Sequence, residues 1–140
     1  MNEVSKYLQI HKFTAMERET TVPRGDEQAE RIIQHAMWYF ALRNPRVAVA
    51  VLYSGALSLI PETIQSKLGQ GLTHRERLVV IKREMPEIYA HVRALTYFFE
   101  LANYSGRKIQ DEHVHEAIAE LTAINEQLSR ADEVSRNASS

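Results

Sequence analysis

The stretch from Asp26 to Leu68 constrains the fold more than any other part of the sequence. A turn at Asn44-Pro45 divides it, because Asn is a good helix N-cap and Pro suits the first position of a helix. The helix that follows carries no charged residue from Val47 to Pro61. Surface helices of soluble proteins have a polar face, so this helix is predicted to be the buried centre of a helical bundle.

Helical periodicity continues along the rest of the chain, and no segment has the alternation of a strand. Two later stripes have steps of three and four residues: Ile88, Val92, Leu95, Phe99 and Ala102, then Val114, Ile118, Leu121, Ile124 and Leu128. Thr73 and Glu76 fit a capping box. We therefore predict an all-α, single-domain bundle of five or six helices over residues 1–130. It includes a helix at residues 3–19, and a frayed polar tail follows at residues 131–140.

Composition excludes several classes of function. The 140 residues include no cysteine, which excludes disulfides, thiol catalysis and cysteine-bound zinc and fits a cytoplasmic location. The formal net charge of −1 gives no overall basic excess. The uncharged run is shorter than the roughly 20 residues that span a bilayer, so no membrane partner is expected. No nucleotide-binding motif is present, and His113 and His115 would point away from each other on a helix, so neither a cofactor nor a metal is predicted.

Apolar side chains in excess of one small core suggest self-association. The inner stripe of the helix that begins near Asp26 is Ala29, Ile33, Ala36, Met37 and Phe40. Trp38 and Leu42 add apolar surface on another side of this helix, and Phe98 adds more further on. These three residues are predicted to form a homodimer interface. The expected function is that of a non-enzymatic interaction module that binds itself and another protein.

The segments from Ala36 to Ala41 and from Asn44 to Ala56 resemble the core hairpin of HEPN-like bacterial proteins. Tyr97-Phe98-Phe99, followed by a polar turn, is similar to a later aromatic segment of the same family. The resemblance covers roughly half the chain and rests on apolar and small residues. It implies a helical bundle, often dimeric, with a regulatory or defence role in a bacterium or phage.

The resemblance also implies an alternative, a metal-independent, toxin-like ribonuclease. Ribonucleases of the HEPN family carry an Arg, four to six further residues and then a His, and Arg107 and His113 fit this spacing. His113 would transfer a proton and Arg107 would stabilise the phosphate charge. Lys108 departs from the small polar residue that is usual in the motif, and Gly106 places Arg107 in a turn. The competing interpretation of this segment is that Arg107 and Lys108 are solvated cations near the carbonyl end of the preceding helix, which favours positive charge.

A third hypothesis is a regulator that binds RNA or DNA through a local basic patch. Arg75, Arg77, Lys82 and Arg83 lie close together in the sequence and are candidates for contact with phosphate or with an acidic partner. The surrounding segment is superficially similar to the start of a LuxR-type helix-turn-helix. Met85-Pro86 interrupts that pattern, which argues against reading of the DNA major groove by this segment.

Overall fold

The computed structural model describes residues 25–69 and 71–139, and within these ranges it is an all-α bundle without strands. The predicted fold class is therefore confirmed. The helix predicted at residues 3–19 lies outside the described residues. The elements in chain order are α1 (Gly25–Ala41), α2 (Pro45–Ser58), α3 (Glu62–Gln65), a 3-10 turn (Ser66–Leu68), α4 (His74–Glu84), α5 (Pro86–Tyr104) and α6 (Asp111–Ser139).

The predicted turn between α1 and α2 is confirmed in its details. Asn44 is the N-cap of α2, and its side-chain Oδ1 accepts a hydrogen bond from the Val47 backbone N–H at 3.4 Å. Pro45 occupies the first helical position, where no hydrogen-bond donor is needed. Arg43 ends the α1 side of the turn with a φ of 60°, the left-handed conformation that reverses the chain at many helix C-termini.

Helix α2 lies against α1, α5 and α6, but its burial is one-sided. Ala48, Val49, Leu52, Tyr53 and Ala56 are buried, which confirms the predicted central role. On the opposite side of α2, Ser54 is exposed and Val51 is only half-buried. The charge-free sequence of α2 therefore covers both its core-facing side and a side that is partly exposed to solvent. In the described ranges no single helix is long and apolar enough to cross a membrane. Within these ranges, α2 and the segment Glu62–Leu68 are long and apolar enough only when they are taken together, and a bend of 106° separates them.

Helices α5 and α6 complete the core. Pro86 begins α5 and Asp111 begins α6, as the sequence predicts. Between the two helices, Nδ1 of His91 lies 2.6 Å from the Glu120 carboxylate. The polar tail predicted at residues 131–140 continues α6 as far as Ser139, and its fraying stays a prediction. The side chains of residues 131–135 are exposed, so polar composition here indicates a solvated end of a helix rather than a break in it.

The start of α4 has the predicted capping box. The Glu76 backbone N–H donates to Thr73 Oγ1 at 3.1 Å, and the Thr73 backbone N–H donates to Glu76 Oε1 at 3.0 Å. The bond from the Thr73 backbone N–H, with a hydrogen bond from the Thr73 side chain, holds the pKa of the Glu76 carboxyl below its usual value, because both favour the ionised carboxylate.

Replacing Thr73 with Ala should lower the free energy of unfolding by about 1 kcal/mol, since the N-cap bond is lost. Urea denaturation followed by circular dichroism measures the change. Thr63→Ala, at an exposed position of α3, is the matched control and should change stability by less than about 0.5 kcal/mol. Equal effects of the two substitutions would contradict a capping role for Thr73.

Candidate functional site

A cleft between α1 and α2 is the best candidate for a functional site. Its volume is about 720 Å³, which is within the usual range for ligand pockets. The residues that line it are spaced by three and four positions on each helix: Gln28, Arg31, Ile32 and His35 from α1, and Ala50, Val51, Ser54 and Gly55 from α2. The cleft therefore follows about two turns of each helix and has a largely aliphatic wall with a few polar groups.

Close contact of α1 with α2 forms the floor of the cleft. A Cβ atom added to Gly55 would lie 2.4 Å from Cγ2 of Ile32 and 2.9 Å from its Cγ1 and Cδ1. Only glycine allows the Ile32 side chain to lie directly on the α2 backbone. This contact explains why a residue that costs up to about 1 kcal/mol in a helix interior occupies this position.

Arg31 is the most unusual group in the cleft. Its Nε and Nη2 atoms are buried, and neither has a hydrogen-bond partner within residues 25–69 and 71–139. Glu27, one helical turn earlier, is exposed and forms no ion pair with Arg31 in this part of the chain. The described lining includes no carboxylate. Two shielded guanidinium nitrogens without a hydrogen-bond partner in this part of the chain are unfavourable for folding.

The same side of α1 leads from the cleft to the predicted dimer interface. Gln28, Arg31, His35, Trp38 and Leu42 follow one another at steps of three and four residues and so form one stripe. Trp38 packs edge-on against Tyr39, with ring centroids 4.8 Å apart, and is half-buried. Leu42 is 42% exposed. Met37, which was predicted to face the core, is 38% exposed, because the core contacts of α1 run through Ala29 and Ala36 instead.

Phe98, the third residue of the predicted interface, lies within the chain's own core. It is 7% exposed and packs near the His113 ring, with centroids 5.7 Å apart. Its neighbour Tyr97 is the exposed aromatic residue of this segment, at 57%. The prediction of Phe98 as interface surface is therefore corrected. The buried arc of α5 is wide enough to include it, because α5 packs against α2, α4 and α6.

The predicted ribonuclease pair lies at the connection between α5 and α6. His113 Nδ1 accepts a hydrogen bond from the Gln110 backbone N–H at 2.9 Å, so the neutral ring carries its proton on Nε2. Arg107 is exposed, and its backbone carbonyl accepts from Arg46 Nη2 at 3.3 Å. No hydrogen bond joins the Arg107 side chain to His113 in the part of the chain that the structure describes. The catalytic role of this pair stays a prediction.

The predicted basic patch is interleaved with acidic side chains. Arg75 lies 3.7 Å from the Glu100 carboxylate, and Arg83 lies 3.4 Å from that of Glu84. A hydrogen bond from Lys67 to Glu84 holds the pKa of that carboxyl below its usual value. The ammonium group of Lys82 lies over the Tyr89 ring, 5.3 Å from its centroid, while Arg77 is half-buried. The patch therefore carries both positive and negative charges, which weakens attraction to a phosphate backbone. Contact of the patch with nucleic acid stays a prediction.

His74 packs against core aromatic residues and links three helices. Nδ1 of His74 is hydrogen-bonded to the hydroxyl of the buried Tyr53 at 2.8 Å, and its ring also packs against Phe99. Burial, followed by the nearby charge of Arg77, lowers the pKa of His74, which favours the neutral ring at pH 7. This cluster joins α4 to α2 and α5. Among the described residues, no group of three potential metal-binding side chains of His, Asp or Glu comes together.

No protein-family model, curated protein or solved structure shows significant similarity to the chain. Function is therefore inferred from the exposed side of α1 and from the chemistry of the cleft. The sequence signal that could have identified Arg31 is weak. It is a cation on the helix stripe that also carries Trp38 and Leu42, directly beside the apolar residue Ile32.

Proposed function

We propose that the chain is a non-enzymatic helical interaction module that works as a homodimer. The observation that carries the proposal is the apolar arc at the C-terminal end of α1. Met37, Trp38, Ala41 and Leu42 extend over about 140° of the helix surface at 100° per residue. Met37 and Leu42 retain 38% and 42% of their exposure, and Ala41 is also exposed.

The position of this arc favours self-association. It lies at the C-terminal end of α1, beside the tight turn to α2 where the chain reverses over Asn44-Pro45. Large exposed apolar side chains at adjacent helical positions are unfavourable in water and are typical of interaction surfaces. A two-fold dimer would bring two copies of the same arc together, and each would then cover the other.

The HEPN-like resemblance supports the same proposal, since such bundles are often dimeric and belong to bacterial or phage regulatory and defence systems. Within that setting the module would bind itself and a further protein. The ribonuclease hypothesis has less support from geometry, because the Nδ1 atom of His113 already accepts a backbone hydrogen bond. The nucleic-acid hypothesis has less support because acidic side chains accompany Arg75 and Arg83.

Replacing Leu42 with Glu should weaken dimerisation at least about tenfold, because a charge would be buried in the apolar contact. Sedimentation velocity over a concentration series measures the change in the dimer dissociation constant. Val79→Glu is the matched control, since Val79 of α4 is 65% exposed and lies outside the arc. The proposed interface would be rejected if both variants dimerised as the parent chain does while retaining its helix content.

A further inference from the structure

We propose that the cleft between α1 and α2 is occupied by a second copy of the chain, whose Leu42 side chain lies in it. The inference rests on the proposed self-association and adds the residue that each copy contributes to the cleft of the other. In this arrangement α1 of the second copy runs antiparallel to α1 of the first, along the groove that α1 and α2 form.

The arc at the end of α1 is too small to form a stable interface by itself. It consists of Met37, Trp38, Ala41 and Leu42, whereas a stable interface has roughly 20–30 residues and buries about 800 Å² on each side. A dimer that uses the arc therefore needs further apolar contact. The cleft provides it, because the lining residues of α1 continue the helix stripe on which Trp38 and Leu42 lie.

The spacing of the stripe determines which side chains meet. Gln28, Arg31, His35, Trp38 and Leu42 follow one another at alternating steps of three and four residues, which is the spacing of a coiled-coil seam. A two-fold axis between His35 and Trp38 makes Trp38 of each copy face His35 of the other, and Leu42 face Arg31. Leu42 then lies about 8 Å along the helix from the axis, over the cleft.

The cleft offers an aliphatic environment at the level where Leu42 arrives. Ile32 lies directly on Gly55 of α2, so these two residues form the floor next to Arg31. Val51 adds a branched aliphatic wall, and the exposed Ser54 borders the contact. Leu42 is 42% exposed in its own chain, and its transfer from water to this aliphatic surface is favourable. The same contact forms twice in a two-fold dimer.

Disulfide cross-linking tests this contact, and the absence of natural cysteines removes any background. Leu42→Cys and Ser54→Cys are prepared as separate full-length chains, mixed and oxidised. We expect a disulfide-linked heterodimer, because the two Cα atoms then lie within the roughly 7 Å that a disulfide spans. Val79→Cys, at a 65% exposed position of α4, replaces Ser54→Cys in the control and should give at least about tenfold less heterodimer. Equal yields of the two heterodimers would overturn the proposal.

Two other cross-links identify competing arrangements. Leu42→Cys alone should not link to itself, because the two Leu42 positions are about 16 Å apart along the antiparallel helices. Efficient self-linking of this variant would indicate a different pairing of the two copies and would overturn the proposal. A disulfide within one chain that carries both Leu8→Cys and Ser54→Cys would also overturn it, because a segment of the same chain would then occupy the cleft.

Sedimentation of the parent chain and of Leu42→Glu separates failure of this inference from failure of the proposed function. If the parent chain is a dimer that Leu42→Glu weakens, but Leu42→Cys and Ser54→Cys do not link, the proposed function stands and the cleft contact is rejected. If the parent chain is a monomer at every concentration, both proposals are rejected. Dimerisation together with the expected heterodimer supports both.

Discussion

Replacing Leu52 with Ala should lower the free energy of unfolding by about 2–5 kcal/mol, one of the largest effects of any single substitution in this chain. Leu52 is completely buried, and it lies on the face of α2 that belongs to the common core. The substitution removes apolar contacts and leaves a cavity that close-packed neighbours fill only in part. Urea denaturation followed by circular dichroism at 222 nm measures the loss.

The size of this effect tests whether α2 is the centre of the bundle. Domains of this kind are stable by about 5–15 kcal/mol, so the Leu52 variant should lose a large fraction of its stability. Val79→Ala is the matched truncation at an exposed position and should change stability by less than about 0.5 kcal/mol. A loss below about 1 kcal/mol for Leu52→Ala would show that the core does not depend on α2.

Replacing Gly55 with Ala should destabilise the protein by about 1–2 kcal/mol, although Ala is the better helix former. Intrinsic propensity favours Ala by about 1 kcal/mol. The new Cβ, however, would lie 2.4 Å from Cγ2 of Ile32, far inside normal contact distance. Ile32 is β-branched and has little rotational freedom at χ1, so overpacking costs of about 1–3 kcal/mol are expected to outweigh the gain in propensity. Thermal and urea denaturation both report the net change.

A double-mutant cycle tests the cause of this effect. Combining Gly55→Ala with Ile32→Ala should cost at least about 1 kcal/mol less than the sum of the two single changes, because the overlap is removed. Gly69→Ala is the control, since its added Cβ would lie 3.8 Å from the nearest atom, Ser66 O, and should be close to neutral. Additive effects at Gly55 and Ile32 would mean that the two helices are not in contact there.

The parts of the fold that follow local chemistry could be predicted from the sequence. Asn44-Pro45, the capping box of Thr73 and Glu76, and the helix start at Pro86 each depend on residues within one turn of the chain. Helical periodicity and the charge-free run led in the same way to an all-α bundle with α2 in its core. These signals are short in range, so one sequence is sufficient to identify them.

The site depends on tertiary packing and could not be predicted in the same way. A charged residue on an amphipathic helix normally indicates contact with solvent, whereas two nitrogens of Arg31 are buried. Phe98, expected at the surface, is buried, and Met37, expected in the core, is exposed. The number of helices that pack around α1 and α5 decides how wide the buried arc of each helix is. Sequence periodicity gives the direction of a helix face but not the number of helices that cover it.

The molar mass of the parent chain in solution tests the proposed function most directly. Size-exclusion chromatography with multi-angle light scattering measures it over a range of protein concentrations. A homodimeric interaction module should have a mass near twice 16.1 kDa, and the mass should fall on dilution if the contact is weak. A mass of 16.1 kDa at every concentration would contradict the account, because the apolar arc on α1 would then have no second copy to cover it.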